Sequence, residues 1–338
     1  MSRRSRIGAL LDRVLTTRRL VRAPVPLYRA HLGWLLGARV LLLEHTGRVS
    51  GRPRTVVLEV VDRPAPGVLR VVSGFGTGAQ WYRNLTADPD CRVSTGWTDR
   101  RPARAHRVDP ATAAETFDRY RQEHPRAWSV LSEVLGAHLP EGAALEEAVP
   151  VVDLVLTPGT RSEPAPLGAP ARALLGPVSR SEATAVLLGA AALAVVAGAS
   201  APPVGPLRRA ALGLLGADIG GGAVAFHLPS TRAAYAERSR GLPRDLVFPA
   251  LHVHPVAIAA LSGAGIRRGL LHHAAIVTTA AALHAVPAGA ARYGWAASGI
   301  AVALDRLLPG DCLPGWVAPA LWTKLVAGEA AVSASAGR

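Results

Sequence analysis

EHTGRVSGRPRTVVLEVV, from Glu44 to Val61, is two apolar arms around a short turn that carries Arg48, Arg52 and Arg54. Gly47 and Gly51 give the turn its tightness, and the β-branched arm after it favours a strand. A basic turn between two apolar strands predicts a hairpin in which hydroxyls, guanidinium groups and backbone amides converge on an anion. A solvated basic hairpin is the bland alternative. Working outward, short β-rich runs recur at Val40–His45, Thr55–Asp62, Val68–Ser73, Cys91–Thr95, Arg101–Val108 and Val151–Leu156. Turn signals separate them. Helices are expected over Leu27–Leu36, Gln80–Ala87, Pro110–Glu123 and roughly Ala127–Ala137. Strands that cluster early with helices between them predict an α+β domain built on a small antiparallel barrel, rather than an alternating parallel sheet.

A second stretch, VVSGFGTGAQWYRNL from Val71 to Leu85, is a strand, a turn with Ser73, Gly74, Gly76 and Gly78, and a helix opening at Trp81 and Tyr82. Glycines let a backbone approach a flat ring closely, and a helix start offers unpaired amides. It matches neither a dinucleotide-binding glycine fingerprint nor a Walker loop.

Together the two stretches resemble the deazaflavin-dependent nitroreductases and quinone reductases that use coenzyme F420, in the split β-barrel class. The resemblance runs from about Leu27 to Thr157, through LYRAHLGWLLGARVLLLEHTGRVSGRPR, SGFGTGAQWYRNL, the Asp88–Pro89–Asp90 turn, His124–Pro125 and VPVVDLVLT. It implies F420 as cofactor, with FMN on the same barrel as the alternative. Arg48, Arg52 and Arg54 would meet its phosphate and acidic tail, and Thr46, Gly47, Ser50 and Gly51 would shape the turn. Ser73 and Gly74 would meet the ring, and Trp81 would pack beside it. Ser73 and His124 are the candidates at the reacting centre, His124 as a proton donor. The turn departs from the family's common form at Val49, where lysine is frequent, and EHPRAWSVL lacks the tyrosines of some nitroimidazole-reducing members. The implied reaction is hydride transfer from reduced deazaflavin to a quinone or nitro compound; a cofactor-binding protein without turnover is the alternative from another class.

The chain has 338 residues and a formal net charge of +14. Its arginines are scattered and lack interleaved aromatics, which speaks against nucleic acid and suits an anionic cofactor or membrane surface. Cys91 and Cys312 alone encode neither a disulfide framework nor a cysteine metal site. Residues 1–180 hold 26 of the 38 Lys and Arg and 17 of the 24 Asp and Glu, so charge thins sharply after residue 180. Ala183–Leu207, Leu246–Ile266 and Gly269–Ala291 carry no charge, and Ala210–Thr231 carries only Asp218. Each is long enough to cross a bilayer.

The expected organisation is therefore an amphipathic segment (1–26), the barrel (27–157), a linker (158–181) and a helical membrane domain (182–338) with four or five spans. Arg232, Arg238, Arg240 and Arg244 between the second and third spans predict a cytoplasmic loop, and hence a cytoplasmic first domain in a multi-pass membrane protein. Arg residues near the start leave no room for a secretory signal. Lipid and a lipophilic acceptor are the expected partners, and a homodimer stays open. Asp218 reads either as a functional intramembrane carboxylate or as a residue held among Gly216, Gly220, Gly221 and Gly222, small enough for close helix packing. His227, His252, His254, His272, His273 and His284 are read as interfacial, with no metal assigned.

Overall fold

Val40–Thr46 (β1) and Pro53–Glu59 (β2) pair in register from Val40 with Glu59 to Thr46 with Pro53, so the hairpin predicted from the basic turn forms. The computed structural model describes residues 22–125, 127–129, 132, 144–238, 244–284, 290–307 and 313–335. The amphipathic stretch before residue 22 and most of the helix expected over 127–137 lie outside them. Contacts divide the chain into two units: residues up to Pro164 with Ser179–Ser181, and Ala165–Val178 with Glu182 onward. The segment expected as a linker is not featureless, since it contains a helix at Ala169–Leu175.

In the first unit, Val68–Val72 (β3), Asp90–Thr95 (β4), Thr98–Arg107 (β5) and Val151–Leu156 (β6) join β1 and β2 in one antiparallel sheet, ordered β2-β1-β4-β5-β6-β3. The two edges meet beyond β2. There Val61 donates to the Arg70 carbonyl and Arg70 donates to the Asp62 carbonyl, at 2.9 and 3.0 Å. This curl satisfies edge groups that an open sheet would expose. Alternation decides the faces. Leu41, Leu43, Val71, Val93 and Leu154 point inward and are fully buried with Leu69 and Val152, while Leu42 faces the other way under Val25 and Tyr28. Asp153 and Arg70 are register partners on β6 and β3, and their two-point contact, at 2.7 and 2.8 Å, pairs a guanidinium that is 6% exposed. Burial of that charge is tolerable because both ends of the fork are met and Thr116 accepts a third bond.

Helix α1 is Val25–Arg29, α2 is Gln80–Ala87 and α3 is Pro110–Glu123. Asp109 caps α3 by accepting from the Thr112 amide. The single helix expected over Leu27–Leu36 is split into α1 and a 3₁₀ turn at Gly33–Leu36. His31 causes the break: its φ is +59°, and its Nδ1 lies 2.8 Å from buried Asp99.

In the second unit, the helices Arg180–Ala199, which begins in the first unit, and Pro206–Ala225 meet backbone to backbone through Gly189, Gly216 and Gly220. Leu212, Ile219, Ile258, Ile276, Leu321 and Leu325 form its buried core. Arg180–Ala199 is long and apolar enough to cross a membrane; Pro206–Ala225 passes that test only jointly with Pro229–Glu237, across an 88° bend. One such helix among the described residues, or two if the bent pair counts, is fewer than the four or five spans expected. The uncharged run Leu246–Ile266 is not one span. It breaks into Arg244–Leu251 and His254–Ser262, because Pro249 and Pro255 withhold the amides a continuous helix needs.

Candidate active site

The turn between β1 and β2 closes by two backbone bonds, Gly47 N–H to the Arg52 carbonyl and Gly51 N–H to the Gly47 carbonyl, at 2.9 and 2.7 Å. Gly51 has φ +62°, which favours glycine, and a Cβ on Gly47 would crowd Ser50 Oγ at 2.9 Å and the Arg52 carbonyl at 3.2 Å. The turn faces α2. Arg48 donates through Nη1 to Gln80 Oε1 and Asn84 Oδ1 at 3.0 and 2.9 Å, and its backbone amide reaches the same Asn84 oxygen at 3.2 Å. Gln80 and Asn84 are one helical turn apart on α2, so they act on Arg48 as a pair.

Beside this contact lies a cavity of about 900 Å³, lined by Arg22, Arg48 and Arg54, the glycines 47 and 78, Val49, Ser50, the β2 residues Thr55–Val57, Phe75, Trp81, His45 and Asn84 among others. Among the described residues, three arginines and no carboxylate stand in that lining. Trp81 is 8% exposed, packed into the barrel core with one side toward the cavity. His45 is buried. Its Nδ1 lies 3.2 Å from Asn84 Nδ2, and burial, with Arg54 adding to it, pulls its pKa down against the opposing Thr46 carbonyl.

Of the residues named from the sequence, Gly47, Arg48, Ser50, Arg54 and Trp81 therefore meet at one cavity. Thr46 lines a second cavity of about 520 Å³, together with Glu44, Asp88, Asp90, Arg92 and Arg100. Cys91 borders that cavity too, buried, with its thiol pushed up to about 12 by desolvation. Gly51 and Arg52 are exposed on the turn and Gly74 is half-buried, and none of the three belongs to the cavity wall. Ser73 is fully buried, and its hydroxyl donates inward to the Gly76 carbonyl at 2.7 Å. His124 ends α3, where its ring packs on Tyr120 at 5.1 Å, away from the lining. The sequence reading missed Gln80, Asn84 and His45. A signal existed for the first two, a polar pair four residues apart on the helix that opens with Trp81.

The second unit holds a separate charged cluster. Asp218 Oδ2 accepts from Lys324 Nζ at 2.6 Å and from His254 Nε2 at 2.9 Å. Lys324 is 3% exposed on a π-helical turn, and its Cε lies 2.4 Å from where a Cβ on Gly222 would stand. Asp218 thus sits in an ion pair with Lys324, for which Gly222 leaves room. His272 and Arg268 share Asp305 Oδ1 at 2.8 and 2.9 Å. Among the described residues no three metal-ligating side chains converge.

Comparison with known proteins bears on the first unit. Residues 20–136 match the model of the F420H(2)-dependent quinone reductase family. A stretch of 66 residues is 42% identical to Rv3178 of Mycobacterium tuberculosis, which bears the name of an F420H(2)-dependent quinone reductase; it covers 19% of this chain and 55% of that protein. The chain thus spans about half the length of the curated relative it matches. Among solved structures, an F420-H2 dependent reductase, FDR-A, is similar at 18% identity and a TM-score of 0.25, covering 34% of this chain and 93% of the other. Atu2129 of Agrobacterium tumefaciens, of unknown function, is similar at 23% identity and a TM-score of 0.28, over 55% of this chain and 79% of its own. The family match and the arginine turn and glycine-rich loop that lie within it make residues 20–136 similar to the F420H(2)-dependent quinone reductase family.

Proposed function

We propose that the chain is an F420H2-dependent oxidoreductase that reduces a lipophilic acceptor, a quinone or nitro compound, at a membrane surface. The observation that carries this reading is the cavity: three arginines without a carboxylate suit a polyanionic tail, and glycine next to a tryptophan suits a flat ring. Reduced deazaflavin, when bound, supplies the hydride. Arg48 is held for its task before any ligand arrives, because Gln80 and Asn84 fix its guanidinium and so lower the ordering cost of binding an anion. Arg54 stands on β2 at the same wall, with no ion pair among the described residues. Trp81, anchored in the core, offers a face that need not reorganise. No acid-base pair is required of the protein beyond position and a hydrogen-bond donor.

The acceptor's lipophilicity and the membrane setting rest on the apolar helix Arg180–Ala199 and on exposed Leu187, Val195, Leu207 and Leu214 in the second unit. We place the first unit on the cytoplasmic side, from the arginines between residues 232 and 244. Purified full-length protein should quench F420 fluorescence and oxidise F420H2 with menadione. Quenching without turnover would leave a binding protein, and neither would end the cofactor assignment.

A further inference from the structure

Asn84 presents its two ends to different neighbours. Its Oδ1 receives the Arg48 amide and the Arg48 guanidinium, at 3.2 and 2.9 Å, and both of these groups can only donate. The side-chain amide is therefore oriented by its partners, with Nδ2 turned to His45 Nδ1 at 3.2 Å. An amide nitrogen has only protons to give, so Nδ1 must offer a lone pair. The one proton of a neutral ring is left on Nε2.

The surroundings favour that neutral form. Arg54 is the register partner of His45 on β2 and Cys91 its partner on β4, Arg48 stands behind Asn84, and burial with Arg54 outweighs the Thr46 carbonyl, which favours the charged ring. A second proton, on Nδ1, would face the Asn84 amide protons and break the bond. His45 stands between the two cavities: it lines the one with Arg48, Trp81 and Gly78, and also the one with Glu44, Asp88 and Asp90.

We propose that Asn84 is a positioning residue that locks His45 as the neutral Nε2–H tautomer, furnishing the cavity with an uncharged hydrogen-bond donor for a carbonyl oxygen of a planar ligand. This rests on the cofactor reading above for the ligand, not for the tautomer. The carbonyl belongs either to the deazaflavin ring or to a quinone acceptor. A neutral donor suits both, since it polarises a carbonyl without adding charge beside the three arginines.

Selective ¹⁵N labelling of histidine in the full chain, with His45 assigned by loss of its signal in His45→Gln, reads the tautomer directly. The expected pattern is a protonated Nε2 and a bare Nδ1. Asn84→Asp should reverse it, because a carboxylate accepts from Nδ1–H and draws His45 toward its charged form. A proton on Nδ1 in the unaltered chain, or an unchanged signature in Asn84→Asp, would overturn the proposal.

The second arm keeps the test open if Asn84→Asp does not fold. Gln places an amide where Nε2 stands and Asn does not, so His45→Gln should bind F420 about tenfold more tightly than His45→Asn, or show a menadione KM about tenfold lower. A difference in affinity assigns the ring carbonyl, and a difference confined to KM assigns the acceptor. Equal behaviour of the two variants in both measurements overturns the donor role. If the unaltered chain fails to bind F420, the cofactor reading falls, while the nitrogen signature still decides the tautomer.

Discussion

His45 is 7% exposed, and its burial has a consequence for acid stability as well as for the site. Because its pKa is held below the ordinary value near 6.5, the unfolded chain takes up a proton that the folded chain refuses as pH falls through that value. The stabilisation by neutral His45 is fully present above about pH 6.5 and declines below it. Denaturant titrations of the full chain should show this loss as pH falls below about 6.5, and His45→Gln should make the dependence shallower; an identical slope would remove His45 from the account. Arg48 and Arg52 differ in the same way that wall and rim differ. Arg48 is bonded to Gln80 and Asn84 at the cavity, whereas Arg52 projects from the turn. Charge-assisted contacts are worth about 1.5–3 kcal/mol, so Arg48→Ala should weaken F420 binding by about tenfold or more, and Arg52→Ala by less. Fluorescence titration compares them, and the reverse order would move the anion site to the outside of the turn.

Elements of the second unit depend on glycine in a way composition does not show. A Cβ on Gly220 would lie 2.3 Å from the Gly189 carbonyl, on the neighbouring helix, while a Cβ on Gly299 would meet nothing within 4 Å. Helix propensity alone favours alanine over glycine by about 1 kcal/mol. Gly299→Ala should therefore raise thermal stability, and Gly220→Ala should lower it, since pushing two backbones apart costs about 1–3 kcal/mol. Thermal unfolding of both variants checks the contrast; stabilisation by both would mean the helices are not in contact at Gly220.

For the whole molecule, the question is what the second unit adds to a barrel that already contains the cavity. The chain enters the second unit after Pro164, returns for Ser179–Ser181 and leaves again at Glu182, so a cut near Gly168 would divide the first unit. A stop after Ser181 keeps its parts together. If the helical unit serves acceptor access, the shortened protein should still reduce a water-soluble quinone, yet lose most turnover of a long-chain quinone in vesicles. Membrane partitioning raises the local acceptor concentration without any new contact, which is why the two substrates should diverge. A parallel loss on both would assign the helical unit to stability or to a reaction of its own.

The local patterns were legible without coordinates. Period-two apolar runs and glycine turns gave the six strands to within a few residues, because turn chemistry and side-chain alternation act between near neighbours. The basic turn and the glycine-rich loop also carried the resemblance to the family whose model residues 20–136 match. Folding alone decided which of those residues face one another. Asn84 and His45 are 39 residues apart and meet only because α2 packs on β1. Ser73 reads as a ring contact in a glycine loop, and folding buries its hydroxyl on the Gly76 carbonyl. The uncharged run Leu246–Ile266 read as one span, but its prolines break it into two helices, and the run 210–231 is bent by 88°. Sequence spacing records periodicity along one element, whereas a cavity wall is assembled from several, and only their packing selects the residues that line it.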